Sequence, residues 1–347
     1  MNPILRLCIS RLVQLPLIVG VIYTLTLILA WAVPGDPLEG PEARRPPAEV
    51  RQQMRAQYNL DSFGSFYRSY LASASGWNWL DARVGITQQG QERSQEWSRQ
   101  DDAARTNGLP VPERRVFDLG PSLQYRDRRV NEIIAESLPV SMTLGLLSIV
   151  LATVIGVGAG VIGAVKPGSA LDALTLGLSL IGISLPTFVI GTVLLLTFSV
   201  WWPILPVGEW GTLRALILPS LTLSLGFAAY IARLTRLGMV QEIQSDYVRT
   251  ARAKGLSERD VVLKHALKNA FLPVLSYLGP ATALAMTGSF VVERVFRVPG
   301  LGQHFVNAVQ NKDLFLIIGV VLVYSTMLIL FNLVVDVLYR WVDPRIA

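Results

Sequence analysis

Side chains able to do chemistry are few in this chain. There are two histidines, His265 and His304, and a single cysteine, Cys8. One cysteine allows neither an intrachain disulfide nor a thiolate metal cage. The apolar stretches hold no nucleophile with a base and an orienting group beside it, the set that covalent catalysis needs. The glycine-rich stretch 156–163 lacks the Lys-Ser or Lys-Thr ending of a phosphate-binding loop. No residue is therefore assigned to catalysis, to a cofactor or to a metal.

The informative spacing lies in residues 246–260. Ile243, Tyr247 and Ala251 recur every four residues, which places them on one helix face. Gly255 is the next step and can stop a helix in the left-handed conformation. Ser257 reads as an N-cap with Asp260 three residues on, a weak capping box. The expected shape is helix, glycine turn, helix, with the second helix running from Glu258 into an apolar stretch. Ala251, Ala253 and Gly255 are small enough for close approach, and Lys254 and its neighbours add positive charge. The chemistry on offer is docking. The bend could press into a cleft on another protein, or a basic loop could touch lipid headgroups. The residues alone leave both open.

The elements that must carry this bend are membrane spans. The chain has 347 residues, 51% hydrophobic and 16% charged, whereas soluble domains carry about 25% charged residues. Six runs lack Asp, Glu, Lys and Arg: 12–33, 137–165, 173–208, 215–232, 269–292 and 314–335. A helical crossing takes about 20 residues. The third run is expected to end near Ser199, because Trp201, Trp202, Pro203 and Pro206 read as an interfacial belt and turn. The first run, with 22 residues, exceeds the roughly 7–15 of a signal-peptide core and reads as a span. The fold expected is an all-α polytopic membrane protein with six transmembrane helices.

Lys and Arg set the orientation. With the N-terminus inside, the short inner segments hold 13 of them and the short outer segments 4. Both termini are therefore expected in the cytoplasm. Residues 34–136 become a large external loop between helices 1 and 2. The net charge of +6 resolves to inner loops rather than to a nucleic-acid stripe. Segment 233–268 alone holds 8 basic and 4 acidic residues. The spans carry no Asp, Glu or His as a proton relay, so the energy for any transport must enter elsewhere. Ala152, Gly156, Gly160 and Ala164 fall at four-residue spacing, which lets helices approach closely in lipid. They could pack within this chain or against a second membrane subunit.

The stretch Tyr247-Val248-Arg249-Thr250-Ala251-Arg252-Ala253-Lys254-Gly255-Leu256, with His265-Ala266-Leu267-Lys268-Asn269-Ala270 and Leu272-Pro273, resembles the EAA loop of ABC importer permeases. The variant is similar to that of the dipeptide/oligopeptide permease family. Four other stretches resemble the same family. They are Pro34-Gly35-Asp36-Pro37, Asp118-Leu119-Gly120-Pro121-Ser122, Val291-Val292-Glu293 leading to Pro299-Gly300-Leu301-Gly302, and Asp343-Pro344-Arg345.

The resemblance implies a type I ABC transporter transmembrane domain in the bacterial cytoplasmic (inner) membrane. It also implies partners: a second homologous permease subunit, two ABC ATPase subunits, an extracytoplasmic substrate-binding protein and membrane lipid, with no nucleic acid. ATP hydrolysis would belong to the partners, with no cofactor in this chain. ATPase coupling would fall on 251–262 with Gly255 at the turn, and on Tyr247, Ala251, Ala253, Lys254, Gly255, Leu256, Ser257 and Asp260. The alternatives are a stand-alone secondary transporter and a membrane-embedded enzyme.

The expected organisation is an N-terminus and first span over 1–33, an external loop over 34–136, a transmembrane core over 137–340 and a cytoplasmic tail over 341–347. Within the core the spans are 137–165, 173–199, 215–232, 269–292 and 314–335, with the EAA loop at 233–268. Two departures stand out. Arg249-Thr250-Ala251 replaces the general Glu-Ala-Ala. The polar stretch 86–116 looks inserted, and its composition predicts an exposed, mobile loop. The aromatics Tyr58, Phe63, Phe66, Tyr67, Tyr70, Trp77 and Trp79 before it are enough to fold. Pro186 and Pro280 are expected to kink their spans. Glu293 and Arg294 read as a surface ion pair, and the residues lining a pathway are unmarked.

Overall fold

The computed structural model describes residues 3–38, 47–125, 127–287 and 289–342, and the side chains among them except 3–8 and 338–342. Asp343-Pro344-Arg345, and the expected tail from residue 343, lie outside these. The chain folds as helices α1 Pro3–Ala32, α2 Ala48–Gln57, α3 Phe63–Ala74, α4 Trp77–Val84, α5 Gln88–Thr106 and α6 Val130–Val165. Then follow α7 Ala170–Ser184, α8 Thr187–Trp201, α9 Leu213–Ile243, α10 Asp246–Ala253, α11 Glu258–Ala270 and α12 Leu272–Thr287. The last are α13 Phe290–Phe296, α14 Leu301–Gln310 and α15 Leu314–Val342.

Among the described residues, four helices are long and apolar enough to cross a bilayer: α1 over Ile9–Ala32, α6, α9, and α15 over Leu314–Val337. The pairs α7–α8 and α11–α12 bring the number to six if each bent pair is one span.

The third apolar run is not one straight helix. It bends by 107° between α7 and α8. Leu185 is extended (φ −80°, ψ 132°) and Pro186 follows at φ −59°, ψ 137°. The proline ring bars the residue before it from helical geometry, so the break sits where Pro186 dictates. The fifth run differs too. Pro280 lies inside the continuous helix α12, and the 55° bend falls before it, between α11 and α12. Pro273 supplies the cause. It lacks the N–H that would have bonded the carbonyl four residues back, and it is tolerated in the first turn of α12.

The chain divides into two compact units. The first comprises 1–20, 136–306 and 323–347. Its centre is α9, which packs against α7, α8, α10, α11, α12 and α13. The apolar window of α9 is 56% buried, against 11% for that of α1. Gly156 and Gly160 let α6 close on α9. A Cβ on Gly156 would lie 2.6 Å from the Ala228 carbonyl oxygen, and one on Gly160 would lie 2.5 Å from Thr235 Cβ. These two small residues therefore serve packing inside the chain. An open apolar cavity of about 360 Å³ lies at the bend of α7–α8, lined by Ile155, Leu178, Ile181, Leu185, Val189 and Leu225, among others.

The second unit comprises 21–135 and 307–322. Its core is aromatic, in keeping with the aromatic content of residues 58–79. Phe66 packs edge-on to Phe315 at 5.3 Å, and Tyr23 stacks on Tyr70 at 5.9 Å. Asp313 is fully buried and holds the turn 122–124. It accepts from Ser122 Oγ at 2.5 Å and from the N–H groups of Leu123 and Gln124 at 3.0 and 3.2 Å. The polar stretch 86–116 contains a helix, α5, rather than unstructured chain. Thr87 caps it by accepting from Gly90 N–H, and the buried Asp81 accepts from Thr87 N–H at 2.8 Å. Local capping chemistry thus outweighs a composition that buries little.

Candidate functional site

The bend is built on an apolar anchor. Val248 and Ala251 point inward and pack with Met239, Val261, Val262, Ala266 and Ala270. Ile243 packs on the same cluster. It sits in α9 while Tyr247 and Ala251 sit in α10, because a turn at Gln244 and Ser245 divides them. The single helix face expected over Ile243, Tyr247 and Ala251 does not form: Ile243 and Ala251 meet in one core from two helices, and Tyr247 is 39% exposed.

The turn itself follows from Gly255, whose φ is +78°. Leu256 N–H bonds the Ala251 carbonyl at 3.4 Å, and Gly255 N–H bonds that of Arg252 at 2.9 Å. This is the paired closure of a Schellman motif. Ser257 then starts α11, its Oγ accepting from Asp260 N–H at 3.2 Å. Arg252 Nε donates to Glu258 Oε1 across the bend at 2.8 Å, and Lys264 pairs with Asp260 at 2.6 Å.

Everything else on the bend faces out. Arg249, Arg252, Ala253, Lys254, Gly255, Leu256, Ser257 and Arg259 are exposed. A Cβ on Gly255 would meet nothing within 4 Å. Leu256, 42% exposed, puts an apolar tip among these cations. Ala251, by contrast, is 6% exposed and anchors the bend from within. Tyr247 latches the base of the bend: its hydroxyl donates to Glu242 and accepts from Asn269 Nδ2 at 3.0 Å. Burial, then the bond to Glu242, raises its phenol above the ordinary value. The arrangement presents an exposed, basic elbow.

A second polar site escapes sequence reasoning. Glu293 is fully buried, not the surface partner of Arg294. Its carboxylate accepts from Ser141 Oγ at 2.8 Å, Ser289 Oγ at 3.1 Å and Gln303 N–H at 3.2 Å. Ser141 in turn accepts from Leu301 N–H at 2.9 Å. The carboxylate, carried by the preceding helix α13, therefore caps α14 at the positive end of the helix. Gly300 and Gly302 make room for it, since a Cβ on Gly300 would lie 2.5 Å from Glu293 Cδ. Burial raises the Glu293 carboxyl above its ordinary value, against the lowering pull of its hydrogen bonds. The spacing of Glu293, Gly300 and Gly302 was the available signal. Ser141, 152 residues away, gave none.

Residues 138–347 match the family described as "Binding-protein-dependent transport system inner membrane component". The chain belongs to that family.

The match starts in α6 and takes in the elbow and the Glu293 turn. Curated relatives extend the likeness over nearly the whole chain. The oligopeptide transport system permease protein OppB of Escherichia coli is 37% identical over 346 residues, 99% of this chain and 98% of its own. The dipeptide transport system permease protein DppB of Bacillus subtilis is 35% identical over 98% of this chain and 97% of its own. OppB of Haemophilus influenzae is 43% identical over 66% of this chain and 76% of its own. As an inner-membrane component of this family, the chain is an ABC transporter permease with several membrane-crossing helices.

Proposed function

We propose that this chain imports peptides as one permease subunit of an ATP-driven transporter, and that ATPase subunits drive it through the elbow at 251–262. The peptide class rests on the relatives being oligopeptide and dipeptide permeases. The observation that carries the coupling role is the elbow itself. An exposed bend with basic residues and a Leu256 tip stands on a buried core that includes the end of α9. A push on the bend therefore moves α9, the helix around which its unit is packed. The assembly would contain a second homologous permease, two ATPases and an extracytoplasmic binding protein, in the lipid of the inner membrane. With α7–α8 and α11–α12 counted as one span each, a six-span chain with both ends in the cytoplasm would have the elbow on the ATPase side. Access then alternates by rigid-body motion between two states.

Gly255→Trp tests this directly. A Cβ at this position meets nothing within 4 Å in the chain itself, and the indole beyond it would fill the surface that enters a partner's groove. ATPase co-purification and peptide uptake should both be lost. Gly255→Ala, which adds the same backbone strain without the bulk, should retain both. Equal behaviour of the two variants would remove the elbow from the coupling role.

A further inference from the structure

Asp172 opens α7 and Arg236 lies about two turns before the end of α9. Arg236 donates through Nε and Nη2 to the two carboxylate oxygens of Asp172 at 2.5 and 2.8 Å. Gly168 N–H donates to the same carboxylate at 2.8 Å. The Asp172 side chain is 4% exposed and that of Arg236 21%. Helix capping accounts for only part of the carboxylate: Ser169 Oγ accepts from Asp172 N–H and the carboxylate reaches back to Gly168 N–H, while the two bonds from Arg236 go beyond what a cap needs. The two-pronged geometry fixes orientation as well as distance.

The pair joins three parts of one unit. The end of α6 presses on it, since a Cβ on Gly163 would lie 2.6 Å from Thr175 Oγ1 and 3.3 Å from Asp172 Oδ1. Beyond Arg236, the residues Met239, Val240 and Ile243 of α9 pack on the apolar core of the elbow. Beyond Asp172, α7 lines the apolar cavity and ends at the 107° break. One salt bridge thus stands between the elbow's helix and the first half of the broken span.

We propose that the Asp172–Arg236 pair is a positioning element that makes α7 travel with α9 as one body when the elbow is displaced. This rests on the coupling role proposed for the elbow. Without the pair, α9 would still respond to the ATPases, but α7 would lag behind it.

The test measures spin-label distances in the full transporter, with Cys8 replaced by serine. Labels go on Leu174 of α7 and Leu237 of α9, both exposed. In the otherwise wild-type complex the distance distribution should be the same with and without ATP. In Asp172→Asn it should broaden and shift when ATP binds. Arg236→Lys keeps the charge but loses the two-pronged contact, and it should shift in the same direction by less. If Asp172→Asn fails to assemble, Arg236→Lys decides. A distance that changes with ATP in the wild type, or variants that stay as fixed as the wild type, would overturn the proposal. A merely structural role would lower the yield of complex without an ATP-dependent shift. A Gly255→Trp complex run alongside separates the two readings. If it still binds the ATPases and responds to ATP, the coupling role fails and this inference fails with it. If it does not, and Asp172→Asn matches the wild type, only the pair's role fails.

Discussion

The elbow at Gly255 and the turn at Glu293 solve the same problem in opposite ways. Each redirects the chain between two helices, and each uses glycine to do it. At Gly255 the glycine supplies a positive φ, the polar groups are satisfied locally, and the side chains face outward. At Glu293 the glycines supply space, and the carboxylate of the preceding helix fills it. The first turn is complete by itself and leaves its surface free for a partner. The second is complete only when α6, α13 and α14 come together around one buried acid. The difference teaches what to expect of each in function. The elbow is a handle that can be altered at little cost to folding, whereas the Glu293 turn is a joint that cannot.

Substitutions at the two turns should separate along that line. Glu293→Ala leaves Ser141, Ser289 and the N–H groups of Gly302 and Gln303 without their acceptor, which should destabilise the chain by about 3 kcal/mol. Thermal unfolding of the purified protein would read this, and a loss below 1 kcal/mol would break the contrast. Glu293→Gln keeps shape and one acceptor, and sharpens the test through pH. Burial raises this carboxyl above 4.5 in the folded chain. The folded state thus holds the proton to higher pH than the unfolded state does. Its contribution to stability is greatest at low pH and falls as pH rises from about 4.5 through the raised value. The Gln variant should lose that slope. A slope of the opposite sign in the parent would contradict the burial argument.

The elbow should respond more weakly. Gly255→Ala meets no clash but forces alanine into the left-handed region, at about 1 kcal/mol. Ser257→Ala removes the cap of α11 and should cost a similar ~1 kcal/mol. Arg252→Ala breaks an exposed pair with Glu258 and should leave the melting temperature unchanged within error. If all three cost more than Glu293→Ala, the handle-and-joint distinction is wrong.

The same contrast explains what could be read from the amino acids. The elbow was legible because its causes are adjacent: Gly255 sets the stop, Ser257 the next start, and Asp260 lies one turn on. The break at Pro186 was legible for the same reason. The 55° bend before α12 is not legible, because Pro280 sits mid-run where a kink is expected while Pro273, close to a helix start, breaks the helix. The Glu293 joint was misread as a surface pair because its partners come from α6 and from a later turn, and burial is a long-range property. The Asp172–Arg236 pair was hidden likewise. Arg236 counted as one more inner-face charge until the length of α9 showed it inside a helix. In α5, composition misled where the local cap at Thr87 would not have.

The burial of α9 has a consequence for how the protein is made. Its apolar window has mean hydropathy 1.8, against 2.3 for α1 and α6 and 2.7 for α15. It also hides Ser220, Thr222, Ser224 and Thr235 in its contacts. Of these four helices it is therefore the least suited to rest alone in lipid. Yet it is synthesised before α11, α12 and α13, three of the helices that cover it. The nascent chain must hold its future centre in waiting until its neighbours arrive. The order of synthesis, more than the hydropathy of any one span, sets when this core can close.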